Sequence, residues 1–367
     1  MKRLLCIVNN MNTGGAETFL MKLYRSIDRT QYQFDFCVTE PGEGFYYEEI
    51  RRLGGRIHKI EGKSKHPIRS MVMLWKLVRE ERYESVIRMG WYAFTALDLL
   101  VAKLAGAKRV ALRSATGTMS GSWKKRLFLH WIPLPIARLV PNVKIAPSDL
   151  AAQFMFGKRA YETGKVLLLN NGVDTSQFVF DEQVRRQLRE KLGLDDGFVV
   201  GHVGRLSSQK NHKFLFQIFH KIKAERPDAM LCLVGGGELE HSLRQQVRQL
   251  GLEESVRFLG IRSDVPRLLM AFDVMVFPSF FEGMPNTVIE AQATGLHCVI
   301  ADTITKGAAV TDRVEYLSLE DSADTWAQQA LQYAKPYERP DMKPAFVEKG
   351  YDISAVAEQF CRVMFEA

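Results

Sequence analysis

The chain has 367 residues, 46% hydrophobic and 25% charged, which is the composition of a globular protein long enough to build two hydrophobic cores. The formal net charge of +8 is uneven: residues 1–170 carry 28 Lys+Arg against 14 Asp+Glu, and residues 171–367 carry 22 against 28. The basic first half points to an anionic partner, a phospholipid surface, a lipid phosphate or a nucleic acid, with a solvated basic face as the alternative, and the lack of any apolar run near ~20 residues excludes a membrane-spanning helix.

Short apolar strands alternate with helical patterns in chain order. Leu4–Val8, Phe34–Val38, Val86–Met89, Val110–Leu112 and Lys144–Ala146 read as strands of a first half. Val199–Val203, Met230–Val234, Val256–Leu259, Val274–Phe277 and Cys298–Ala301 read as strands of a second. They are apolar on both faces, as strands of parallel sheets covered on both sides are. The stretches Lys213–Glu225, Glu238–Leu250 and Thr287–Thr294 read as helices between them. The alternation occurs twice and predicts two doubly wound α/β domains. The turn-rich run Asn170-Asn171-Gly172-Val173-Asp174 marks the boundary, ahead of a charged helix that starts from Asp181.

Cys6, Cys37, Cys232, Cys298 and Cys361 are scattered, an odd number with no C-x-x-C pair. They are expected to be reduced thiols rather than a disulfide framework or a zinc site, which fits a cytoplasmic protein. The run Leu4–Val8 after Lys2-Arg3 is too short for the apolar core of a signal peptide.

Three glycine-rich loops follow strands. Gly14-Gly15 in Met11–Glu17 opens a helix, where backbone N–H groups favour an anion, although a tight turn explains the pair as well. Gly201–Gly204 and Gly235-Gly236-Gly237 lack the full dinucleotide fingerprint, so nicotinamide chemistry is set aside. The loop Gly204–Asn211 places Arg205 and Lys210 five residues apart before a helix. A guanidinium fork and an ammonium point charge suit the negative charge that grows on a departing diphosphate, and two solvated surface cations are the plainer alternative. In Phe277–Ala291, Glu282 lies in a loop after a strand and Glu290 about one turn into the next helix, with Pro285 expected at or near its first position. Two carboxylates eight residues apart across such a junction can reach opposite ends of one extended ligand.

With these motifs in this order, the chain resembles glycosyltransferase family 4 of the GT-B fold, in particular its bacterial exopolysaccharide and capsule branch. The resemblance is carried by Gly14–Glu17, Asn171–Asp174, Gly204-Arg205 with Lys210-Asn211, Val234–Gly237, Phe258–Gly260 with Asp264-Val265, and Glu282 through Glu290, and it covers nearly the whole chain. It implies two Rossmann-like domains facing across a cleft. An acceptor domain would span 1–170, a nucleotide-sugar domain 171–345, and a carboxy-terminal helix within 346–367 would pack back on the first domain.

The resemblance also implies roles. Arg205 and Lys210 would grip the donor diphosphate, with Gly204 beside them. Glu282 would contact sugar hydroxyls, and the backbone of Gly283, Met284, Pro285 and Asn286 would lie nearby. Glu290 would hold the ribose, Ile261 in Leu259–Arg262 would edge the base, and Gly15 would face the diphosphate from the other domain. Family members retain anomeric configuration and need no metal or other cofactor. Many carry a His after a strand like Val110–Leu112, whereas here the run is Ala111-Leu112-Arg113-Ser114-Ala115-Thr116-Gly117. Either Arg113 or Ser114 would take part of that role on the acceptor side or the position is not needed, and His130, His202 and His212 are not expected to substitute.

The implied reaction moves a sugar from a nucleotide donor, by expectation a UDP-sugar, to a saccharide or lipid-linked saccharide. An epimerase or hydrolase on the same fold, or a non-catalytic nucleotide-sugar-binding subunit, is the alternative. Ser122–Pro135 mixes Lys124, Lys125 and Arg126 with Trp123, Phe128 and Trp131. It reads as a segment for an anionic membrane surface, with burial of those aromatics in the core as the alternative. Peripheral contact with the inner face of the plasma membrane is therefore expected. Nucleic acid is not, because no zinc-finger spacing or RNA-binding aromatic signature occurs.

Overall fold

A computed structural model describes residues 1–12, 14–63, 66–115, 122–194 and 197–366, with the side chain of Lys125 left aside. The chain forms two compact units, Met1–Gly172 with Ile353–Ala367, and Val173–Asp352. The crossings thus lie at Gly172–Val173 and Asp352–Ile353 rather than at 170 and 345. Phe346, on the helix Lys343–Glu348, is buried in the core of the second unit, which keeps that helix with it.

The first unit holds a seven-stranded sheet. Its strands are β1 (Lys2–Val8), β2 (Tyr32–Val38), β3 (Ile57–Lys59), β4 (Ser85–Gly90), β5 (Arg109–Ser114), β6 (Val143–Ala146) and β7 (Leu167–Leu168). Their order is β3-β2-β1-β4-β5-β6-β7, and every pairing is parallel. Side chains alternate along β1. Leu4, Cys6 and Val8 join one core layer with Phe19, Phe34 and Phe360. Leu5 and Ile7 join the layer on the other face with Leu74, Leu99 and Met155. The carboxy-terminal helix Ile353–Cys361 is part of this unit. Its Phe360 ring meets Phe19 edge-on at 6.4 Å and Phe34 at 5.8 Å.

The second unit holds six parallel strands, β8 (Val199–Val203), β9 (Met230–Val234), β10 (Val256–Gly260), β11 (Val274–Phe277), β12 (His297–Ala301) and β13 (Val314–Leu317). Their order is β10-β9-β8-β11-β12-β13. The chain winds outwards from β8 to β10 and then returns to the other side of β8 to lay down β11. The reversal makes β8 and β11 neighbours at the topological switch point, where open α/β sheets bind ligands beyond their carboxyl ends. The same reversal in the first unit lies between β1 and β4.

Three strands escape the sequence reading: β3, β7 and β13, all short or half-polar. The helix expected from Asp181 spans Glu182–Leu192, with the Asp181 carboxylate accepting the N–H groups of Gln183 (2.7 Å) and Val184 (3.1 Å) as its cap. All five cysteines are buried free thiols. No helix among the described residues is long and apolar enough to cross a membrane.

Candidate active site

The turns after β8 and β11 build the centre of the site. Lys210 ends the short turn Ser208–Lys210, and Asn211 takes a left-handed conformation (φ +53°) to start the helix His212–Glu225. Glu282 lies in the turn between β11 and the helix Asn286–Ala293 and pairs through its backbone with Ile304. The Lys210 Nζ sits 2.6 Å from Glu282 Oε1, and both side chains are about seven-eighths buried, with 13% and 12% exposure. Two groups 72 positions apart in the sequence meet because their strands are adjacent.

Lys210 is held from below as well. Its ammonium lies 4.3 Å from the centroid of the Phe277 ring, a cation–π contact made by the last residue of β11. The His202 ring stacks on Phe277 at 5.2 Å, and His212 meets His202 edge-on at 4.9 Å. His202 Nδ1 bonds the Val276 carbonyl at 2.9 Å. Both histidines are buried, and burial pushes them to the neutral form: His202 well below its ordinary range, His212 down to about 4. They form the packed floor under Lys210 and, as expected, offer no open acid or base.

That floor has a pH signature. An unfolded histidine takes up a proton near pH 6.5, while folded His212 stays neutral until about 4, so the unfolded state binds more protons between those values. Stability is therefore expected to fall as pH drops from 7 to 5. Urea midpoints at the two pH values check this, and a His212→Gln variant should show a shallower dependence. An equal slope in both proteins would contradict it.

Glycines shape the cradle. The Lys210 stem lies across Gly204, where an added Cβ would come within 2.9 Å of Cε. Gly235 has φ +134°, and a Cβ there would lie 2.1 Å from the Gly204 carbonyl oxygen, so only glycine fits. The loop after β9 is thereby pressed onto the loop after β8. Ile261, at 79% exposure, projects from the end of β10 over Gly236.

Arg205 lies on the same edge but is not bound to Lys210 or Glu282. It is 73% exposed and pairs with Glu238 at 3.1 Å. The segment Phe280-Phe281 is tied back to Gln209, whose carbonyl accepts the Phe280 N–H (2.9 Å) and whose amide donates to the Phe281 carbonyl (2.8 Å). Pro285 is the cap residue immediately before the helix, with φ −78° and ψ 97°. The extended ψ lets the chain turn from the Glu282 loop into the helix. Gly283 is exposed, Met284 half-buried against the Tyr351 hydroxyl (3.7 Å), and Asn286 opens the helix. Glu290 is partly exposed within the same helix.

The sequence reading misses Glu238, Gln209, the Phe277 ring and the stretch after β12. There Thr303 donates to the Ser279 carbonyl at 3.1 Å and Ile304 pairs with Glu282. The strand-end rule that found the other loops points to this one too, since it follows Cys298–Ala301.

In the first unit, Gly15 is the exposed first residue of the helix Gly15–Ser26. The buried Glu17 side chain curls back so closely that a Cβ at Gly14 would lie 2.2 Å from its Oε2. Burial raises the Glu17 carboxyl above its ordinary range. Thr13 lies outside the described residues, as do Thr116 and Gly117 of the run after β5. Arg113 and Ser114 end β5 and are both buried. The Arg113 guanidinium lies 3.8 Å from the Phe19 ring centroid and donates to Asn171 Oδ1 at 2.5 Å. Burial lowers its pKa to about 9, so it remains a cation at neutral pH. Its place is under the helix Gly15–Ser26 rather than on an open loop.

Trp123, Phe128, Trp131 and Ile132 are exposed, which removes core burial as their explanation. A separate helix Leu134–Leu139 starts after Pro133, with Pro135 in its first turn. His130 is buried, its ring stacked on Phe154 at 4.1 Å.

The model of the family described as "Glycosyl transferases group 1" matches residues 197–335, which contain all of this second-unit site. EpsF of Bacillus subtilis (strain 168), whose name assigns it an inferred glycosyltransferase role, is 34% identical over 363 residues, covering 96% of this chain and 93% of that protein. The UDP-Gal:alpha-D-GlcNAc-diphosphoundecaprenol alpha-1,3-galactosyltransferase of Escherichia coli is 30% identical over 243 residues, 64% of this chain and 62% of that one. Among solved structures, Anabaena Alr3699/HepE in complex with UDP and glucose superposes with a TM-score of 0.79 at 18% identity over 100% of both chains, a likeness of fold. The chain belongs to the group 1 glycosyl transferases and is a glycosyltransferase of the GT-B type, built from two Rossmann-like units.

Proposed function

We propose that this glycosyltransferase takes a UDP-sugar and transfers its sugar, with retention of anomeric configuration, to a saccharide or lipid-linked saccharide in surface-polysaccharide synthesis. The observation that carries this reading is the Lys210–Glu282 pair at the β8/β11 switch point. One member is suited to a phosphate and the other to sugar hydroxyls, and they are 2.6 Å apart. UDP appears in the name of the Escherichia coli relative and in the titles of the Anabaena structures. The galactosyltransferase relative is named for an α-1,3 linkage to a diphosphoundecaprenol-linked sugar.

In this reading the bond between the anomeric carbon and the β-phosphate oxygen breaks as the acceptor hydroxyl approaches from the same face. The acceptor oxygen bonds to the anomeric carbon, and its proton passes to the departing diphosphate. Lys210 and Arg205 stabilise the charge that collects there, Glu282 orients the sugar and Glu290 the ribose. The two cations supply the charge that a divalent metal supplies elsewhere, so no metal is called for. The acceptor belongs to the first unit, where a cavity of about 240 Å³ lies beyond the carboxyl ends of β1, β2 and β4, lined by Asn9, Glu40, Lys63 and Arg88 among others.

Membrane contact is assigned to the same unit. Trp123, Phe128, Trp131 and Ile132 stand exposed beside Lys124 and Arg126. On the helix Pro67–Glu80, Ile68, Val72 and Trp75 form a second exposed stripe flanked by Arg69, Lys76 and Arg79.

The test incubates the purified chain with UDP-sugars and undecaprenyl-diphosphate-linked saccharides. UDP release that requires the acceptor, a product of unchanged anomeric configuration by NMR, and persistence in EDTA are expected. Acceptor-independent release would overturn transfer in favour of hydrolysis. Flotation with anionic but not neutral vesicles checks the membrane contact.

A further inference from the structure

The opposite edge of the second sheet holds a cavity of about 330 Å³ that the donor site does not use. It lies at the amino ends of β8 and β11, so the length of β8 separates it from the Arg205–Lys210 loop, roughly 17 Å at ~3.3 Å per residue. Five arginines line it, Arg185, Arg186, Arg189, Arg226 and Arg339, against two carboxylates, Glu182 and Asp273.

Three of these arginines are fixed by the fold. Arg185 and Arg189 share the Asp273 carboxylate at 2.5 and 2.6 Å and also donate to the carbonyls of Met270, Ala271 and Phe272. Among the described residues Arg339 has no carboxylate within ion-pair distance. It donates to the carbonyls of Leu269, Met270, Phe272 and Thr294, and its guanidinium lies 4.4 Å from the Phe180 ring centroid. Its charge is solvated by neutral groups in a place where burial lowers its pKa to about 10. Arg226 is tied to the half-exposed Asp228 at 2.8 Å. Arg186 is exposed and has no hydrogen-bond or ion-pair partner among the described residues.

Anchoring the helix ends accounts for Arg185, Arg189 and Arg339. It does not account for Arg186 at the same cavity, where a further cation repels the fixed ones, and Arg226 adds a charge balanced only by the partly exposed Asp228. An anion removes that repulsion, and the exposed Arg186 guanidinium, whose fork is not engaged among the described residues, offers it paired N–H donors. Phe180 and Tyr337, both partly exposed in the lining, give a flat ring a surface beside the charge. We propose that this arginine-lined cavity is a second binding site, separate from the donor site, for a small ring-bearing phosphate ester. The proposal does not rest on the identity of the donor.

Inorganic pyrophosphate titrated calorimetrically into the full-length chain tests it. An Arg205→Ala/Lys210→Ala background silences the donor site, and saturable binding of one equivalent is expected to persist there. Adding Arg186→Ala and Arg226→Ala should weaken it about tenfold for each guanidinium removed. In the wild-type background the same two substitutions should abolish one of two pyrophosphate equivalents and leave UDP binding intact, which also shows that the variant folds. Absence of saturable binding in the silenced protein, or affinity indifferent to Arg186 and Arg226, would overturn the site. Loss of all pyrophosphate binding on silencing Arg205 and Lys210 would assign the anion to the donor site alone.

Discussion

Replacing Lys210 with Ala is expected to lower kcat/KM for sugar transfer about 10²-fold, the ~3 kcal/mol typical of removing one preorganised donor from a developing oxyanion. Lys210 is the stronger of the two cations at this edge because its surroundings fix it. It is largely buried, its ammonium rests on the Phe277 ring, and its stem fills the space left by Gly204. Arg205 is mostly exposed and bonded to a half-exposed Glu238, so part of its charge is screened before any ligand arrives. The substitution also removes the partner of Glu282, a carboxylate with 12% exposure, so sugar positioning should suffer together with phosphate binding. Lys210→Arg keeps the charge but brings a bulkier planar head against Phe277, and is expected to recover only part of the loss. Initial rates of acceptor-dependent nucleotide release, with thermal melts to confirm folding, check this. A Lys210→Ala enzyme within twofold of wild type would remove Lys210 from the chemistry.

Asp98→Ala is expected to cost about 3–5 kcal/mol of stability, the range for removing one member of a buried ion pair. Asp98 lies in the first turn of the helix Ala96–Leu104 and its carboxylate is 3% exposed. It accepts from Arg88 at 2.9 Å and from Lys63 at 2.5 Å, both largely buried. Arg88 also donates to the Ile7 carbonyl (3.0 Å) and the Asn9 side chain (2.9 Å), which ties β4 to the end of β1 at the switch point of the first sheet. Without Asp98, two cations face each other with no counter-charge between them. Burial already lowers the Lys63 pKa, so Lys63 can give up its proton, but Arg88 cannot. Asp98→Asn keeps the shape and one acceptor, and should lie between wild type and Ala. Urea unfolding followed by far-UV circular dichroism measures the difference. A change under ~1 kcal/mol would show that the cluster is solvated enough to dispense with its anion.

The central strands were legible because burial on both faces leaves continuous apolar runs. Val199–Val203, Met230–Val234 and Val274–Phe277 begin and end where composition places them. The strands overlooked are held from one side only or are too short to show a period. Ile57-His58-Lys59 and Val314–Leu317 pair on a single edge, and Leu167-Leu168 is two residues long.

The site divides the same way. Lys210 and Glu282 could each be named from the loop that carries it, because glycines, a strand end and a helix start leave local marks. Their contact could not be read, because it depends on β11 returning beside β8, a matter of strand order to which periodicity is blind. The same limit hid Gln209 bracing Phe280-Phe281 and Thr303 bracing Ser279. The exposed stripe Ile68, Val72 and Trp75 was hidden differently. Its spacing equals that of a buried face, and only the packing of Leu74 and Val78 on the sheet shows which side of the helix looks outward.

The central claim is that the second unit binds a nucleoside diphosphate through the loops after β8 and β11. Calorimetric titration of UDP into the wild-type chain and into an Arg205→Ala/Lys210→Ala variant of unchanged melting behaviour tests it most directly. The account predicts saturable binding to the wild type and a loss of at least about 10²-fold in the variant, about tenfold for each cation removed. Equal affinity in the two proteins, or no UDP binding by the wild type, would contradict it.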